Sequence, residues 1–484
     1  MVLIKLLQPN ADERYGVRQG YESATRPPET GLAVLSSYLC HNLAPCNVVC
    51  LDPDRSDEVL VECCMGADFV GLTDWFSNHE RVVRIARMVK LSNPKAHIVV
   101  GGPNTGGVAQ LMIQKHPFID TVVVRDGEQA LLKLADGYPI LSVPNCWYRD
   151  EETGWARFTH EGFTPMAYMP LWDFENFENL DKRLVPYTTA TAKMGETDFD
   201  PWLVPPLTMF SFRGCMKAIK EGVCSYCTSA ETVGRALPAD QFWQQLELLR
   251  HKYGAKLFYM ADDIFPVSIK RMEHLAGAKP TGIPVPMIRA YAYMPDFIRF
   301  TAKELDRMIV ALRTIGVFNL FFGVESFGME QITRANKDAV SIQDSRRVIT
   351  VLGSKGIRAT MAYLLGLPGE THKSLEANLL SLRILLETGF VERVYLSVVM
   401  ALRGTPMFDE YCRTPGICKE YERKTGRSLI NDDNPDYPLL QRLGVEYLTA
   451  ISPATLNEWL ARMITTAEQY LPKHRVGGFS LESI

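Results

Sequence analysis

No stretch of this chain approaches the ~20 consecutive apolar residues that a membrane-spanning helix needs, and no long block of like charge interrupts its 484 residues. The first absence argues against a membrane protein. The second, with a net charge of −4 at pH 7, gives no support for a nucleic-acid or acidic-membrane partner. There is no internal repeat and no low-complexity segment. Met1–Pro9 (MVLIKLLQP) is apolar but lacks a charged start and a small-residue cleavage site, so a first strand is expected there rather than an export signal. The 11 cysteines form no small-domain framework. With no export signal they are expected to be reduced thiols of a cytoplasmic protein, some of them metal ligands. What remains is ordinary globular composition, 46% apolar and 22% charged, at a length suited to two to four domains.

Residues 1–140 alternate strand and helix signals. Short apolar runs at Val2–Leu7, Asn47–Leu51, Phe69–Leu72, His97–Val100 and Thr121–Val124 predict strands buried on both faces. Helices are expected over Thr30–Asn42, Asn78–Ser92 and Gly106–His116. This alternation predicts a doubly wound, Rossmann-like α/β domain, with ligands beyond the carboxyl ends of its strands. The turns Gly101-Gly102-Pro103-Asn104 and Arg125-Asp126-Gly127-Glu128 fall there; either alone could be only a tight turn. Residues 141–204, rich in Pro, acids and aromatics, predict a linker that wraps over a neighbouring domain. Residues 205–402 alternate again, with strands expected at Leu207–Phe212, Lys256–Met260, Val285–Tyr291, Phe318–Phe322, Arg358–Leu365 and Val394–Val399. The helices between them are Asp240–Tyr253, Ser268–Ala276, Thr301–Ile315, Gln343–Ser354 and Leu375–Thr388. Thr301 with Glu304 and Ser341 with Asp344 read as capping boxes; Gly254, Gly316 and Gly389 read as C-caps. Six β/α units predict a partial barrel with its site at the strands' carboxyl ends. Residues 403–484 read as loops followed by helices near Leu439–Leu448 and Pro453–Tyr470.

Ser211-Phe212-Arg213-Gly214-Cys215 ends the first barrel strand, and Cys224-Ser225-Tyr226-Cys227 follows after eight residues. Four thiolates would close a cubane cluster; three leave one iron open to a chelating substrate. A structural zinc site would need a fourth ligand, and the next histidine along is His251, on an expected helix. A thioredoxin-like pair would open a helix of a small redox domain, which this context does not match.

With these motifs in place, the chain resembles the radical S-adenosylmethionine (SAM) superfamily, and within it the cobalamin-binding branch, over roughly residues 1–405. The superfamily spacing CxxxCxxC is here Cys215-x8-Cys224-x2-Cys227, which departs in the first interval and keeps the ending. Ala261-Asp262-Asp263-Ile264-Phe265, Gly323-Val324-Glu325-Ser326, Gly366–Thr371 and Arg403-Gly404-Thr405-Pro406 match the family's strand-end motifs in order. The resemblance implies a [4Fe–4S] cluster on Cys215, Cys224 and Cys227, and SAM contacts from Tyr226, Asp262, Asp263, Glu325, Ser326 and Gly366. Arg26–Leu32, Gly101–Asn104 and Arg125–Glu128 are similar to segments of the branch's cobalamin domain. They imply cobalamin near Gly101, Gly102, Asn104, Asp126, Gly127 and Glu128. The DxHxxG motif that supplies an axial histidine in other cobalamin proteins is absent, so a domain that no longer binds cobalamin stays open.

The implied activity is a cobalamin-dependent C-methyltransferase acting on an unactivated carbon of a small metabolite or biosynthetic peptide, with electrons from a flavodoxin or ferredoxin. The same two sites would also serve a ring contraction, cyclisation or group transfer without methylation. A binding or sensor protein with an inert cluster is the alternative from another class. No residue can be assigned a catalytic role from the sequence.

Overall fold

Strands expected from short apolar runs are found to within one residue at each end in the first sheet. They are Val2–Leu7 (β1), Cys46–Cys50 (β2), Phe69–Thr73 (β3), His97–Gly101 (β4) and Thr121–Val123 (β5). The structure, a computed structural model, describes residues 1–11, 28–184, 199–204, 206–228 and 231–479; Arg26 and Pro27 of the sequence motif fall outside these. The five strands are parallel and ordered β2-β1-β3-β4-β5, so the chain reverses its direction of advance between β1 and β3. Alternate residues serve opposite faces. Ile4 and Leu6 join one core with Val48, Cys50, Val99 and Val123, while Leu7, Val70, Leu72, Ile98 and Val100 join the other. Two helices among the first sheet's strands went unread in the sequence, Asp57–Cys63, capped by Ser56, and Glu128–Ala135.

The segment read as a linker begins with more order than its composition suggested. Cys146–Arg149 (β6) and Ala156–Phe158 (β7) form an antiparallel hairpin that extends the first sheet beyond β5. Further on, the segment lies against the second half of the chain. Trp172 stacks on Phe210 at 4.6 Å and exchanges hydrogen bonds with Gln245, and Phe174 N donates to the Tyr253 hydroxyl at 3.0 Å.

Leu207–Met209 (β8) opens the second sheet. The expected strand Leu207–Phe212 breaks at Ser211, whose amide and hydroxyl bond the Asp262 carboxylate instead of a ladder partner. Phe212–Arg213 (β9) and Arg235–Ala236 (β10) then pair antiparallel at the base of the cysteine loop. Leu257–Met260 (β11), Met287–Ala292 (β12), Val317–Glu325 (β13), Arg358–Leu365 (β14) and Val391–Val398 (β15) follow, all parallel. A seventh strand that the sequence did not announce, Val476–Phe479 (β16), adds parallel to β15. The result is an open, all-parallel partial barrel.

Its helices start where local chemistry dictates. Thr301 and Glu304 form the expected reciprocal box, and Thr371 with Ser374 forms another, which starts the next helix at His372 rather than Leu375. Ser341 caps its helix by accepting from Asp344 N. Gly254 and Gly316 are left-handed C-caps, whereas Gly389 lies two residues past the C-cap Glu387. Inside the sheet's curve Tyr259, Tyr291, Phe321 and Tyr395 form a column, with centroids 5.3, 4.8 and 5.6 Å apart in turn.

Candidate functional site

A cavity of about 1630 Å³ lies between the two sheets, walled by carboxyl ends of strands from both. On the first side, Thr73, Gly101, Gly102 and Val123 are strand-end residues. Three helix starts face the same space, at Gly31 in Thr30–Asn42, Gly106 in Thr105–Lys115, and Gly127 before Glu128–Ala135. A Cβ on Gly31 or Gly106 would meet nothing within 4 Å. On the second side are Thr208, Tyr259, Ala261, Asp263, Tyr291, Gly214 and Cys227. A site at the strands' carboxyl ends is where both folds place ligands.

The cysteine loop leaves β9 at Gly214, a left-handed residue (φ 104°) whose Cβ would lie 2.6 Å from the Val233 carbonyl oxygen. Its long first interval is taken up by a helix, Met216–Glu221, closed by Gly222 at φ 85°. That turn brings the chain back, so Cys224 follows with Cys227 N donating to Cys224 O at 3.1 Å. All three are reduced thiols and half-buried. Burial raises the Cys215 thiol; the Asp263 carboxylate and Cys224 add to the rise, against amide donors at Ala218 and Lys217. Among the described residues no three His, Cys, Asp or Glu side chains are gathered as ligands of one metal ion. A cubane makes a different demand. Each thiolate binds its own iron, so the three need only share a loop around the cluster rather than converge on a point. Three soft donors on one loop, with Cys227 on the cavity wall, fit that group.

Most of the motif carboxylates have partners inside the protein. Asp126 and Glu128 are both buried and both lie on the cavity wall, yet their oxygens are taken. Arg213 Nη1 donates to Asp126 Oδ1 at 2.9 Å and to Glu128 Oε2 at 3.2 Å, and Arg235 also donates to Asp126. Burial would lower the Arg213 guanidinium, but the two carboxylates overcome it and hold it above its ordinary value. This network joins the first sheet to β9, one residue before Gly214. Asn104 does not line the cavity: its amide donates at 2.8 Å to Asp74 Oδ2, which is also 3.1 Å from His79 Nδ1.

Of the two aspartates after β11, only Asp263 faces the cavity. Asp262 is buried and ties β11 to Ser211; burial pushes it up to about 7 against those hydrogen bonds. Glu325 ends β13 with a left-handed backbone (φ 59°), and its Oε1 is 2.7 Å from Lys337 Nζ. Tyr226, whose hydroxyl bonds the Glu325 carboxylate, is pushed far up by burial and by that charge. Ser326 is buried; its hydroxyl bonds Asn378 Oδ1 at 3.2 Å and accepts from Gly328 N at 3.0 Å. Gly366 packs against Val445, Leu456 and Val398 rather than the cavity. The structure thus brings Gly101, Gly102, Asp126, Gly127, Glu128, Cys227 and Asp263 to one space, with Tyr226 and Glu325 paired beside the loop. It gives Asn104, Asp262, Ser326 and Gly366 internal partners or packing instead. Arg213, Arg235 and Lys337 were missed. Arg213 sits in the Arg-Gly-Cys run, but nothing in the sequence marks its partners 85 and 87 residues away.

No family model matches the chain. An uncharacterized methyltransferase of Pyrococcus horikoshii is 24% identical over 366 residues, covering 73% of each chain. The structure of the radical SAM methyltransferase TsrM from Kitasatospora setae, with cobalamin and a [4Fe–4S] cluster bound, has a TM-score of 0.64 at 16% identity; the match covers 86% of this chain and 80% of that one. The structure of the cobalamin-dependent SAM radical enzyme OxsB has a TM-score of 0.65 at 17% identity and covers 97% and 67% respectively. Both likenesses concern the fold, which this chain shares: a doubly wound α/β unit followed by a partial parallel barrel. No helix among the described residues is long and apolar enough to cross a membrane.

Proposed function

We propose that this chain is a cobalamin-dependent radical SAM methyltransferase. In this reading Cys215, Cys224 and Cys227 hold a [4Fe–4S] cluster, and residues 1–140 present cobalamin to the cavity. The substrate is a small metabolite or biosynthetic peptide, and a flavodoxin or ferredoxin supplies electrons. The observation that carries the reading is the cavity itself, which sets Cys227 on one wall and the helix starts at Gly31, Gly106 and Gly127 on the other. The fold shared with a radical SAM methyltransferase solved with cobalamin bound and with a cobalamin-dependent SAM radical enzyme supports it.

When bound, the cluster supplies the electron that splits a sulfonium S–C bond and cobalamin supplies a methyl carrier. The chain's own part is positional. Arg213 locks the cobalamin wall to the strand that launches the cysteine loop. The column Tyr259, Tyr291, Phe321 and Tyr395 fills the sheet's curve. Tyr259 and Tyr291 of this column line the cavity, where their rings would keep water from the barrel side of a bound substrate.

The test is anaerobic reconstitution with iron and sulfide, followed by SAM, hydroxocobalamin, a reductant and candidate substrates, with products read by mass. Expected are one cluster per chain, 5′-deoxyadenosine, and a product heavier by one methylene. Hydroxocobalamin should bind at about ten micromolar or tighter, roughly 7 kcal/mol. Replacing the three cysteines together by Ala should remove the iron. A chain that takes up no cobalamin, or a triple variant that keeps its iron, refutes the reading.

A further inference from the structure

Eight residues between the first two cysteines make a long loop, and a long loop needs something outside it to set its shape. Here one tripeptide supplies it. Ala335-Asn336-Lys337 follows the helix Met329–Arg334 and touches the cysteine loop along its length. Ala335 O accepts from Ser225 N at 2.9 Å. Asn336 Nδ2 donates to Val223 O at 2.8 Å, and Asn336 O accepts from Lys217 Nζ, which also donates to Gly222 O at 2.8 Å. Lys337 Nζ donates to Gly323 O at 2.6 Å, to Glu325 Oε1 at 2.7 Å, and reaches the Tyr226 hydroxyl at 3.5 Å. An ammonium has three N–H bonds, and this one has three acceptors.

The backbone around the contact is built for it. Asn336 (φ 50°) and Glu325 (φ 59°) are both left-handed, a conformation that Asn adopts readily but that Glu keeps only where its surroundings over-determine it. The ladder between β13 and β14 is irregular between Gly323 and Glu325. A Cβ on Gly323 would stand 2.3 Å from Glu325 Oε1 and 3.2 Å from Lys337 Nζ, so only glycine leaves room for the pair.

We propose that Ala335–Lys337 is a brace that presets the cysteine loop for cluster assembly, with Asn336 and Lys337 as positioning residues. The inference rests on the reading that this loop holds an iron–sulfur cluster. The brace offsets the long first interval: the shape that a tighter loop would hold by itself is here imposed from β13 and the turn after Met329–Arg334.

The test uses the full chain with Asn336→Gly, which keeps the left-handed backbone and removes the amide, with Lys337→Met, and with Lys337→Arg as the conservative variant. Iron and sulfide per chain are measured after anaerobic reconstitution at limiting iron, with the EPR spectrum of the reduced protein before and after SAM, and the melting midpoint of the apo protein. Outer partners of metal ligands cost roughly 10–100-fold in metal affinity when removed. Asn336→Gly and Lys337→Met are therefore expected to load less than about half the wild-type iron under limiting conditions. The apo melting midpoint of Asn336→Gly should stay near wild type, that of Lys337→Met should fall because it leaves the buried Glu325 carboxylate without its cation, and Lys337→Arg should restore loading. A merely structural role would lower the melting midpoint and leave loading and EPR unchanged. If the wild type loads a cluster and both variants load it equally well, the brace alone is overturned. If the wild type takes up no cluster, the function falls and the brace with it.

Discussion

At the scale of single residues, a glycine on the cavity wall can be required by its own backbone or by a ligand, and the structure separates the two. Gly102 has φ 115°, and a Cβ there would stand 2.7 Å from the Asp74 carbonyl oxygen and 2.9 Å from its amide nitrogen. Any side chain at 102 therefore strains the fold before a ligand is considered. Gly102→Ala is expected to cost about 1–3 kcal/mol and to lower the melting midpoint with or without cobalamin. Gly106 is the better probe, because its helical backbone accepts a side chain and the space beside it is open. Gly106→Val should melt close to wild type while hydroxocobalamin affinity, followed by absorbance titration, falls at least about tenfold, or 1.4 kcal/mol. Normal hydroxocobalamin binding by the Gly106→Val variant would mean that the ligand does not approach this helix start. The same distinction limits what a motif can say. Glycines and acids at strand ends were legible as site candidates, but the sequence could not reveal that Asp126, Glu128 and Glu325 already face Arg213 and Lys337. A partner distant in the chain decides whether a carboxylate is a ligand or a brace.

At the scale of elements, long apolar periods were read well because their cause is local. Thr30–Asn42, Val2–Leu7 and Arg358–Leu365 have the expected bounds. The failures have physical reasons too. β16 is Val-Gly-Gly-Phe, with half its residues poor strand formers, and it forms only because β15 offers an edge. The hairpin of β6 and β7 has strand-forming aromatics, with Trp147 against Phe158, but its strands are only four and three residues long, and β6 adds to the edge of β5. The turn after β14 shows tertiary context acting on one group. Glu370 is fully buried, accepts from Gly366 N at 3.2 Å and from the Ser374 hydroxyl, and burial pushes its carboxyl up to about 7. An acid with a raised folded pKa is easier to ionise unfolded. Its contribution is fully present below the unfolded value near 4.3 and is lost as pH climbs toward 7, by at most about 1.4 kcal/mol per pH unit. Unfolding free energy should therefore fall between pH 5 and pH 7. Asp262, also raised to about 7, acts in the same direction. Glu370→Gln should reduce the slope without abolishing it. Denaturant titrations at both pH values measure this, and an unchanged slope in the variant would show that Glu370 is ionised throughout.

At the scale of the whole molecule, the cavity keeps its shape only while the two sheets stay in register, and beside the apolar core they share, two polar contacts among the described residues help to hold them. One is the Arg213 network. The other comes from the C-terminal region, which reaches back over the helix Thr105–Lys115. Gly107 lies against the Arg403–Gly404 backbone, where a Cβ would stand 2.3 Å from Arg403 O, and Phe76 meets Tyr437 edge-on at 5.7 Å. Asp433 sits between them, with Lys115 Nζ and His116 Nε2 both at 2.7 Å and His79 Nε2 at 3.6 Å. Burial alone would raise the Asp433 carboxyl, but hydrogen bonds from His116 and Lys115, with the His79 charge nearby, overcome it and hold it well below the usual range. Burial works to lower His79, and the Asp74 charge together with Asp433 lifts it to about 10. The signs are opposite. The Asp433 contribution is present above its unfolded pKa, about 3.9, and is lost as pH falls below that; the His79 contribution is full below about 6.5 and fades as pH rises toward 10. The clamp is strongest between those limits. Asp433→Asn keeps the size and removes the charge, which leaves two donors and the His79 imidazole around an uncharged amide. Its expected cost at pH 6 is on the order of 2–3 kcal/mol, less than for a fully buried pair because Lys115 is partly in water. The cost should appear as uncoupling. Wild type should unfold in urea as one transition by fluorescence and circular dichroism together, and the variant as two, with the first domain leaving early. At pH 3 the difference between them should shrink, since the wild-type carboxylate is then losing its advantage. A variant that unfolds in one transition at the wild-type midpoint at pH 6 would show that the cavity walls are held together without Asp433.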